Sequence, residues 1–445
     1  MLAPGIFKAY DIRGLYPTEL DEAGAYAIGR AYVEQFEPRR IAVGRDMRVS
    51  SPSMAEAVRE GAADGGADVL DLGLVGTEMV YFAVGELGLD GGIAVTASHN
   101  PKQYTGMKVV RAGALPVGGD SGLLEIRERA EAARWREAAR GEIREEDIWS
   151  GFVDRVLSFV DVDALRPLRI VIDAANGMAG RMLPPVLERL PMLDVERCYF
   201  EPDGTFPNHE PNPLLPENRE FIVGKTRGGA DFGVAFDGDA DRCFFVDDSG
   251  EFVPGDFVTA LFAETILARE NGGKVIYDVR ASWAVPEAIE RAGGVPLVNR
   301  VGHAFIKQRM REENAVFAGE VSAHYYFRDF SQADSGVVPF LIMCELVSRR
   351  GPLSEILRPF RDSFFITGEI NTPVADVSET LARLEERFGD EGEVTHLDGL
   401  SITGDAWHFN VRPSNTEPLL RLNLEALSQD LMDAKRDEVL AVIRG

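Results

Sequence analysis

The 445-residue sequence has only three cysteines, Cys198, Cys243 and Cys344, and none has a paired or C-x-x-C spacing. This pattern predicts buried, reduced thiols and favours a cytoplasmic protein over one built on disulfides. No run approaches the roughly 18 apolar residues that a membrane helix needs. Residues 1–10 also lack a continuous apolar stretch of the secretory type, so we expect neither a membrane span nor secretion.

Positive charge is also scarce in this chain. Its 47 lysine and arginine residues are outnumbered by 73 aspartate and glutamate residues, which gives a net charge of −26. Nucleic acids and anionic membranes bind basic surfaces, so we expect neither as a partner. An anionic substrate would need cations gathered at its site, and the candidates are Arg13, Lys108, Arg280, Lys307 and Arg412.

Two common catalytic motifs are missing. The sequence has no G-x-x-x-x-G-K-[ST] nucleotide loop, so ATP is not the evident phosphoryl donor. It has no G-x-S-x-G nucleophile elbow either. With 45% hydrophobic and 27% charged residues the chain has the composition of an ordinary folded protein. Its length predicts roughly three or four domains.

Three segments repeat one order of short apolar strands, and in each the third strand opens into a polar loop. These loops are residues 96–101, 237–242 and 319–324. Helical stretches between the strands, such as 53–61 and 283–292, predict βαβ crossovers and mostly parallel sheets. Ligands of such sheets bind beyond the carboxyl ends of the strands. The alternative is that glycine, aspartate and asparagine in these loops only form turns.

The last segment has another pattern. Leucines at 420, 422 and 424 alternate with polar residues at 421, 423 and 425, which predicts a half-buried antiparallel strand. Helical patterns at 377–388 and 430–443 complete a small α+β domain. We therefore predict three related α/β domains with mostly parallel mixed sheets and a smaller C-terminal α+β domain. Their predicted bounds are 1–149, 150–252, 253–363 and 364–445.

The first polar loop is Thr96-Ala97-Ser98-His99-Asn100-Pro101. Taken alone, Ser98 is more simply interpreted as a turn former. We expect His99 to be poorly placed as its base, because adjacent residues in an extended turn face different directions. A phosphoserine becomes the better hypothesis because the second loop offers carboxylates that could hold a metal beside phosphate.

In the second loop, Asp237, Asp239 and Asp241 alternate, so an extended backbone would turn all three carboxylates toward one point. Without a cation they would repel one another, and the spacing therefore predicts a metal site. An EF-hand is disfavoured, because Arg242 stands where that motif has glycine and Asp248 where it has glutamate. Mg²⁺ fits best, since it takes few carboxylates and completes its octahedron with phosphate oxygen and water.

Two further loops carry groups suited to a phosphosugar. Glu320, Ser322 and His324 alternate and could present polar groups to sugar hydroxyls, although His324 could equally be a structural histidine near a strand end. Residues 412–418 combine the Arg412 guanidinium with hydroxyl, amide and backbone donors, which together would make a phosphate cradle.

These motifs, taken in order, resemble those of the α-D-phosphohexomutases, and most closely the bacterial phosphomannomutase/phosphoglucomutase branch. The resemblance covers essentially the whole chain. It rests on residues 8–14, the Ser98 loop, residues 106–108, the Asp237 loop, residues 302–303, the Glu320 loop and the Arg412 loop. The family has three α/β domains and a smaller C-terminal domain around a central cleft, and the resemblance implies the same architecture here.

The resemblance also implies a role for each matched residue. Ser98 would be the phosphoserine, its phosphate completing a Mg²⁺ site whose ligands are Asp237, Asp239 and Asp241. Sugar hydroxyls would contact Glu320 and Ser322. The non-reacting phosphate would be held by Arg412, Ser414, Asn415 and Thr416. The residues expected in catalysis, phosphate handling or proton transfer are Arg13, His99, Lys108, Arg242, His303 and His324. Tyr10 and Arg280 are expected to contact substrate, together with His303 and His324.

The predicted enzyme is an intramolecular phosphotransferase that interconverts hexose 1-phosphate and hexose 6-phosphate, of mannose, glucose or both. Mg²⁺ and a hexose 1,6-bisphosphate would be its cofactors, and a monomer or small homo-oligomer is expected. One alternative is a phosphoglucosamine mutase, which residues 10–13 and 412–415 disfavour. The other is an inactive sugar-phosphate binding protein, which the intact Ser98 and aspartates disfavour. Ala323, where the dual-specificity type commonly has glycine, leaves the preferred sugar open.

Overall fold

A computed structural model describes residues 2–414 and 419–445. The predicted phosphate-binding residues Asn415 and Thr416 therefore lie outside the described residues. The chain divides into two compact units. Unit 1 comprises Met1–Val253, Lys307–Asn314 and Ser322–Leu353, and unit 2 comprises Pro254–Ile306, Ala315–Val321 and Ser354–Gly445. This division is coarser than the four predicted domains, whose boundaries stay predictions.

Helices lie between most successive strands, as the predicted βαβ crossovers require. The α-helices of the described residues are α1 (Glu22–Phe36), α2 (Ser51–Asp64), α3 (Thr77–Glu86), α4 (Leu123–Ala132), α5 (Trp149–Leu157), α6 (Ala179–Leu187), α7 (Pro216–Thr226), α8 (Gly255–Glu270), α9 (Ala284–Arg291), α10 (His303–Glu313), α11 (Val337–Arg350), α12 (Leu353–Ser363), α13 (Val377–Phe388) and α14 (Gln429–Arg444). Short 3-10 helices lie at Pro4–Ile6, Ala112–Ala114, Gly119–Ser121, Val162–Ala164, Arg328–Phe330 and Gly389–Glu391.

Unit 1 contains a mixed sheet from the first segment of the chain. Its strands are β1 (Ile12–Leu15), β2 (Arg40–Arg45), β3 (Asp68–Leu74), β4 (Gly91–Val95), β5 (Tyr104–Arg111), β6 (Leu115–Pro116) and β7 (Ile143–Glu145). The order is β1-β5-β4-β2-β3-β7, with β6 paired to β5. Strands β4, β2, β3 and β7 run parallel, while β5 is antiparallel to β1, β4 and β6. Strand β4 lies inside the sheet and is buried along its whole length. The polar residues of the serine loop follow its carboxyl end.

A second sheet of unit 1 repeats this arrangement in the second segment. Its strands are β8 (Leu168–Asp173), β9 (Leu193–Cys198), β10 (Phe232–Phe236), β11 (Cys243–Asp247) and β12 (Phe252–Val253), in the order β12-β11-β10-β8-β9. Strands β9, β8 and β10 are parallel, and β11 and β12 are antiparallel additions. Strand β10 is buried along its whole length, and the aspartate loop follows its carboxyl end, as predicted.

The third segment contributes to both units. In unit 2, β13 (Gly273–Asp278) lies between β14 (Gly294–Asn299) and β15 (Phe317–Gly319), and all three strands are parallel. In unit 1, β16 (Tyr325–Phe327) pairs antiparallel with β17 (Ala333–Asp334). The polar residues predicted at the end of the third strand thus follow β15, as expected.

The C-terminal segment in unit 2 forms an antiparallel sheet. Its strands are β18 (Phe365–Ile366), β19 (Ile370–Pro373), β20 (Glu393–Thr395), β21 (Leu400–Thr403), β22 (Trp407–Pro413) and β23 (Leu419–Ala426). The order is β18-β23-β22-β21-β20, and β19 also pairs with β23. Helix α13 has its predicted bounds, because Asp376 caps it by accepting from the Glu379 amide at 2.9 Å.

The half-buried prediction for β23 was wrong in part. The three alternating leucines, Leu420, Leu422 and Leu424, are buried as expected, but Asn423 and Glu425 on the other face are buried too. Glu425 accepts a hydrogen bond from the Ser282 hydroxyl at 3.1 Å and one from the Trp283 amide at 3.0 Å. Contacts from another part of unit 2 therefore cover a face that the alternating pattern assigns to solvent.

The predicted fold class is confirmed, with three α/β segments that carry mixed sheets and a smaller α+β segment at the C-terminus. The three cysteines are buried and free, as predicted. Among the described residues, no helix has both the length and the apolar character that a membrane crossing requires.

Substitution of Leu422 tests whether the inward face of β23 contributes to the core of the C-terminal segment. It is fully buried in the C-terminal core, so Leu422→Ala should lower the free energy of unfolding by about 2–5 kcal/mol. Leu427, just beyond the strand, is exposed, and Leu427→Ala should change it by less than about 0.5 kcal/mol. Urea unfolding can be followed by tryptophan fluorescence, since Trp407 lies in the same core. Equal effects of the two substitutions would contradict this assignment.

Candidate active site

The serine loop follows β4 and turns sharply at Ser98. Ser98 has a φ of +49°, in the left-handed region that non-glycine residues seldom adopt. Its amide donates to the Thr96 hydroxyl at 2.9 Å, which helps to hold the turn. Only 3% of Ser98 is accessible to solvent. A strained conformation of this kind persists only where surrounding contacts enforce it, and it is common at functional sites.

Arg48 makes many of the contacts that hold the serine loop in this conformation, although no motif in the sequence indicated this residue. Its guanidinium donates, at 2.6 to 3.2 Å, to the backbone carbonyl oxygens of Ser98, Asn100, Pro101 and Tyr104. The side chain is buried, and its Nε lies 3.3 Å from the Asp46 carboxylate. Burial lowers the pKa of Arg48, and the Asp46 charge opposes that shift. One buried cation thus holds the backbone of Ser98 and of the residues that follow it.

The Ser98 hydroxyl faces two groups. Oγ lies 3.1 Å from Oδ2 of Asp237, to which it can donate, and 3.2 Å from Nδ1 of His99. The expectation that His99 points away from Ser98 was therefore wrong, because the turn at Ser98 is left-handed rather than extended. Burial, followed by the charges of Arg242 and Arg13, holds the pKa of His99 well below its usual value.

The aspartate loop brings its three carboxylates together. One oxygen from each of Asp237, Asp239 and Asp241 lies within 4.8 Å of the others, and all three residues are buried. The route differs from the predicted extended loop, since the backbone turns at Ala240 with a φ of +62°. Gly238 is required by space, because a Cβ there would collide with the Ser98 carbonyl oxygen. The serine and aspartate loops are therefore in direct backbone contact.

Two cations lie against the aspartates. Lys108 on β5 donates to Asp239 Oδ2 at 2.8 Å and also to Asp241. Burial alone would lower the pKa of Lys108, but the charges of Asp239 and Asp241 raise it well above its usual value. Arg242 donates through Nε to Asp237 Oδ2 at 2.8 Å. Two cations for three carboxylates leave one negative charge uncompensated in a buried site.

The arrangement fits a divalent cation. Oδ1 of Asp239 and Oδ1 of Asp241 are buried and have no hydrogen-bond partner among the described residues. Burial raises the pKa of the Asp237 carboxyl to about 6, against the opposing charge of Arg242. Carboxylate oxygens are ligands that Mg²⁺ and similar hard cations prefer. The donor set and the unbalanced charge both indicate that the aspartate triad could bind a metal ion.

Further side chains that the sequence analysis did not assign surround the triad. The Thr77 hydroxyl, at the start of α3, donates to Asp239 Oδ2 at 2.5 Å. Asp334 on β17 belongs with Asp241 and His324 to a second group that could hold a metal ion. Its carboxylate lies 2.6 Å from the buried Lys307 ammonium, a candidate cation from the sequence. Thr77 and Asp334 come from distant segments, which is why spacing did not reveal them.

The remaining residues predicted in unit 1 lie at varying distances from the triad. Nε2 of His324 is 3.7 Å from Asp241 Oδ1, and its Nδ1 is 3.1 Å from the Ser322 hydroxyl. Arg13 on β1 donates to the Asn100 side chain in the serine loop and to Asp11. Tyr10 is half-buried in the segment that precedes β1. The structure thus brings His324 and Arg13 to the two loops.

Unit 2 holds the other predicted residues. Glu320 is buried and accepts from the Gly302 amide at 3.1 Å, while His303 begins α10. Arg280 makes a two-pronged ion pair with Asp278, at 2.8 and 2.9 Å. Burial opposes the charge of Arg280, but Asp278 raises its pKa above the usual value. Arg280 is therefore a fixed cation.

Three guanidinium groups in unit 2 converge on a single carboxylate. Glu369 lies 3.2 Å from Arg412, 3.1 Å from Arg421 and 3.7 Å from Arg280. Arg421 also contacts the Ser414 hydroxyl at 3.5 Å. Arg412 is buried, and its pKa is lowered by burial and by the charge of Arg280. Arg421 was predicted only as a polar strand residue, yet it joins Arg412 in an anion-binding cluster.

Comparison with known families gives four matches in chain order. Residues 4–137 match "Phosphoglucomutase/phosphomannomutase, alpha/beta/alpha domain I", and residues 150–250 match its domain II. Residues 254–363 match domain III, and residues 369–442 match the C-terminal domain of the same family. The matches cover most of the chain.

Individual proteins show the same similarity. A phosphomannomutase from Salmonella montevideo is 45% identical over 448 residues, with 98% of each chain covered. A protein named "Phosphohexose mutases" from Xanthomonas campestris pv. campestris is 45% identical over 445 residues, with 99% of each chain covered. The crystal structure of a phosphoglucomutase/phosphomannomutase family protein from Burkholderia thailandensis has a TM-score of 0.90 and 31% identity, and the match covers 100% of this chain and 98% of that one. The similarity is therefore continuous along the chain.

Asp239→Asn tests the metal site. The substitution keeps the shape of the side chain and removes one anionic ligand, so affinity for Mg²⁺ should fall by at least about tenfold, as is typical for groups around a metal site. Isothermal titration with Mg²⁺ measures the change, and Asp120→Asn at an exposed aspartate is the control. Unchanged affinity in Asp239→Asn would remove the triad as the metal site.

Proposed function

This chain belongs to the phosphoglucomutase/phosphomannomutase family, and from that premise we propose that Ser98 carries the phosphoryl group that the enzyme transfers. The enzyme is a phosphohexose mutase, an isomerase that acts on phosphosugars.

The proposal depends above all on one distance. The Ser98 hydroxyl lies 3.1 Å from the Asp237 carboxylate, beside a cluster that already has one uncompensated negative charge. A phosphate ester on this oxygen would add about −1.5 to −2 charges at neutral pH. A serine in such a place can be phosphorylated only if a strong cation shares the site, and the aspartate triad offers the ligands for one.

We propose that Mg²⁺ is that cation and that Asp237, Asp239 and Asp241 hold it. When bound, Mg²⁺ would offset the charge of the phosphate and of the oxygen that leaves it. Lys108 and Arg242 keep the aspartates in place and contribute positive charge nearby. Arg48 holds the serine loop so that Ser98 stays against Asp237 during the reaction.

The reaction proposed here has two phosphoryl transfers. In the first, the bond between phosphorus and Ser98 Oγ breaks, and a bond forms between phosphorus and the free hydroxyl oxygen of a hexose monophosphate. The hydroxyl proton passes to a base, and the product is the 1,6-bisphosphate. The bisphosphate then turns over. In the second transfer its other phosphoryl group returns to Ser98, and the sugar oxygen released regains a proton.

A substrate that is held in two orientations needs a site for the phosphate that does not react. We assign this role to Arg412 and Ser414, and we add Arg421 because it contacts the same carboxylate and the same hydroxyl. The ion pairs of these guanidinium groups with Glu369 support this assignment, because carboxylate and phosphate oxygens bind guanidinium in the same way.

Glu320 and Ser322 are proposed to bind sugar hydroxyls, with Tyr10, Arg280 and His303 as further substrate contacts. A buried carboxylate such as Glu320 can accept from two neighbouring hydroxyls and thereby distinguish sugars by their stereochemistry. The names of the relatives support mannose phosphate as one substrate, and we propose mannose and glucose phosphates together. A cytoplasmic location, a monomer or small homo-oligomer, and no nucleic-acid or membrane partner stay predictions.

Ser98→Ala removes the proposed phosphoryl carrier. The variant should fold normally and lose nearly all mutase activity, while exposed Ser158→Ala should keep it. Intact-mass analysis of the unchanged enzyme should show a partial addition of one phosphate, mapped to Ser98 by peptide sequencing. Full activity in Ser98→Ala would show that the phosphoserine mechanism is wrong.

Arg412→Ala and Glu320→Gln test the division of roles. Arg412→Ala should weaken all phosphosugars alike, by about 1.5–3 kcal/mol or roughly 10- to 150-fold, because one charge-assisted contact is lost. Glu320→Gln should instead change the ranking of mannose, glucose and glucosamine phosphates. Coupled assays with the three sugars measure both effects.

Inhibition by inorganic phosphate is the control for this pair, because it reports the phosphate site without the sugar. It should weaken in Arg412→Ala and stay unchanged in Glu320→Gln. If Arg412→Ala alters sugar preference and Glu320→Gln alters phosphate inhibition, the two roles have been exchanged.

A further inference from the structure

Residues 203–211, which we name the clamp loop, pack against the segment around Arg48 and against the aspartate loop. Gly204 lies so close to the backbone of residues 47–49 that a Cβ would collide with it. The Phe206 ring lies 5.2 Å from the Arg48 guanidinium carbon. At the other end, Pro211 lies 3.3 Å from where a Cβ on Gly238 would be. The clamp loop therefore packs against Arg48, which holds the serine loop. It also contacts the aspartate loop.

His209 connects the clamp loop to the end of β8. Its Nε2 lies 2.9 Å from the Asp173 carboxylate at the end of β8, and its Nδ1 lies 2.9 Å from the Glu210 carbonyl oxygen. Both partners are acceptors at neutral pH, so both ring nitrogens must donate. A neutral imidazole has only one N–H and would leave one of these contacts unmade. The geometry is complete only for the doubly protonated, positively charged ring.

We propose that His209 is a positioning residue for the mutase reaction and acts as a proton-dependent latch. As an imidazolium it bonds Asp173 and the Glu210 carbonyl and so holds the clamp loop against Arg48. When it loses a proton, one of the two bonds is lost, the clamp loop loosens, and Ser98 is held less firmly. The inference rests on the role proposed above for Ser98.

The surroundings of the ring favour the charged form. Asp173 is buried and carries the charge that faces His209 directly, and the ring also contacts Tyr199 at 5.6 Å between centroids. Helix α7 contributes the apolar Phe221 against Tyr199, and its Lys225 is paired with Glu196 at 2.6 Å. Burial lowers the pKa of His209, but the hydrogen bond to Asp173, the charge of Asp173 and the hydrogen bond to the Glu210 carbonyl together raise the pKa above its usual value.

The raised pKa of His209 determines how the stability that this residue provides depends on pH. A histidine whose pKa is raised on folding stabilises the folded protein fully below its unfolded pKa of about 6.5. This stabilisation is lost as the pH rises through the folded pKa. The latch is therefore closed at mildly acidic to neutral pH and opens on the alkaline side.

The test combines NMR with kinetics on the full-length enzyme. The chain has six histidines, so the Cε1–H signal of His209 can be assigned by its loss in His209→Gln. It should titrate above about pH 6.5, and in Asp173→Asn it should titrate at lower pH, since the opposing charge is gone. In His209→Gln, kcat should fall by roughly tenfold at neutral pH, the size of one charge-assisted hydrogen bond, with little change in KM.

The pH profile separates this role from a merely structural one. The alkaline fall in wild-type kcat should move to lower pH in Asp173→Asn and lose its His209 component in His209→Gln. His396→Gln, at an exposed histidine, should behave as wild type. A His209 signal that titrates at or below about pH 6.5 would overturn the proposal, and so would a wild-type rate and pH profile in His209→Gln. Failure of the serine mechanism would appear instead as turnover in Ser98→Ala, and it would leave the NMR result unchanged.

Discussion

Three buried carboxylates beside a serine hydroxyl are the constraint on which the rest of this structure depends. Charges of one sign brought together in a low-dielectric interior are costly unless they are compensated. Lys108 and Arg242 compensate two of the three aspartates, and the remaining charge makes the site receptive to a further cation. A phosphate placed on Ser98 would increase that requirement, so phosphoserine and metal ion are linked by electrostatics.

The fold supports this arrangement with polar groups drawn from distant segments. Strands β4 and β10 deliver the serine and aspartate loops at their carboxyl ends, and Gly238 allows the loops to touch. Arg48 then fixes the first loop through four carbonyl oxygens, while Thr77 donates to Asp239 in the second. The contacts of Arg48 maintain the left-handed turn at Ser98. The precision of the site thus comes from buried hydrogen bonds around the loops.

Much of this could be predicted from local patterns. Helix α13 has the bounds that its sequence pattern indicated, and the aspartates converge as their spacing suggested. The errors have one cause, which is that local patterns carry no information on tertiary contacts. The direction of His99 depends on a turn enforced from Arg48, and Glu425 is buried by residues more than a hundred positions away in the chain. The part of Arg421 in the anion-binding cluster was not predicted, because its contact with Glu369 is also a tertiary one.

In the proposed reaction every phosphoryl group that is transferred passes through Ser98. The most direct measurement is a single-turnover experiment in which enzyme labelled with ³²P on Ser98 is mixed with unlabelled mannose 6-phosphate and Mg²⁺. We expect label to leave the protein at the rate of product formation and to appear in sugar bisphosphate and sugar monophosphate. Product formation while the label stays on Ser98 would contradict the claim.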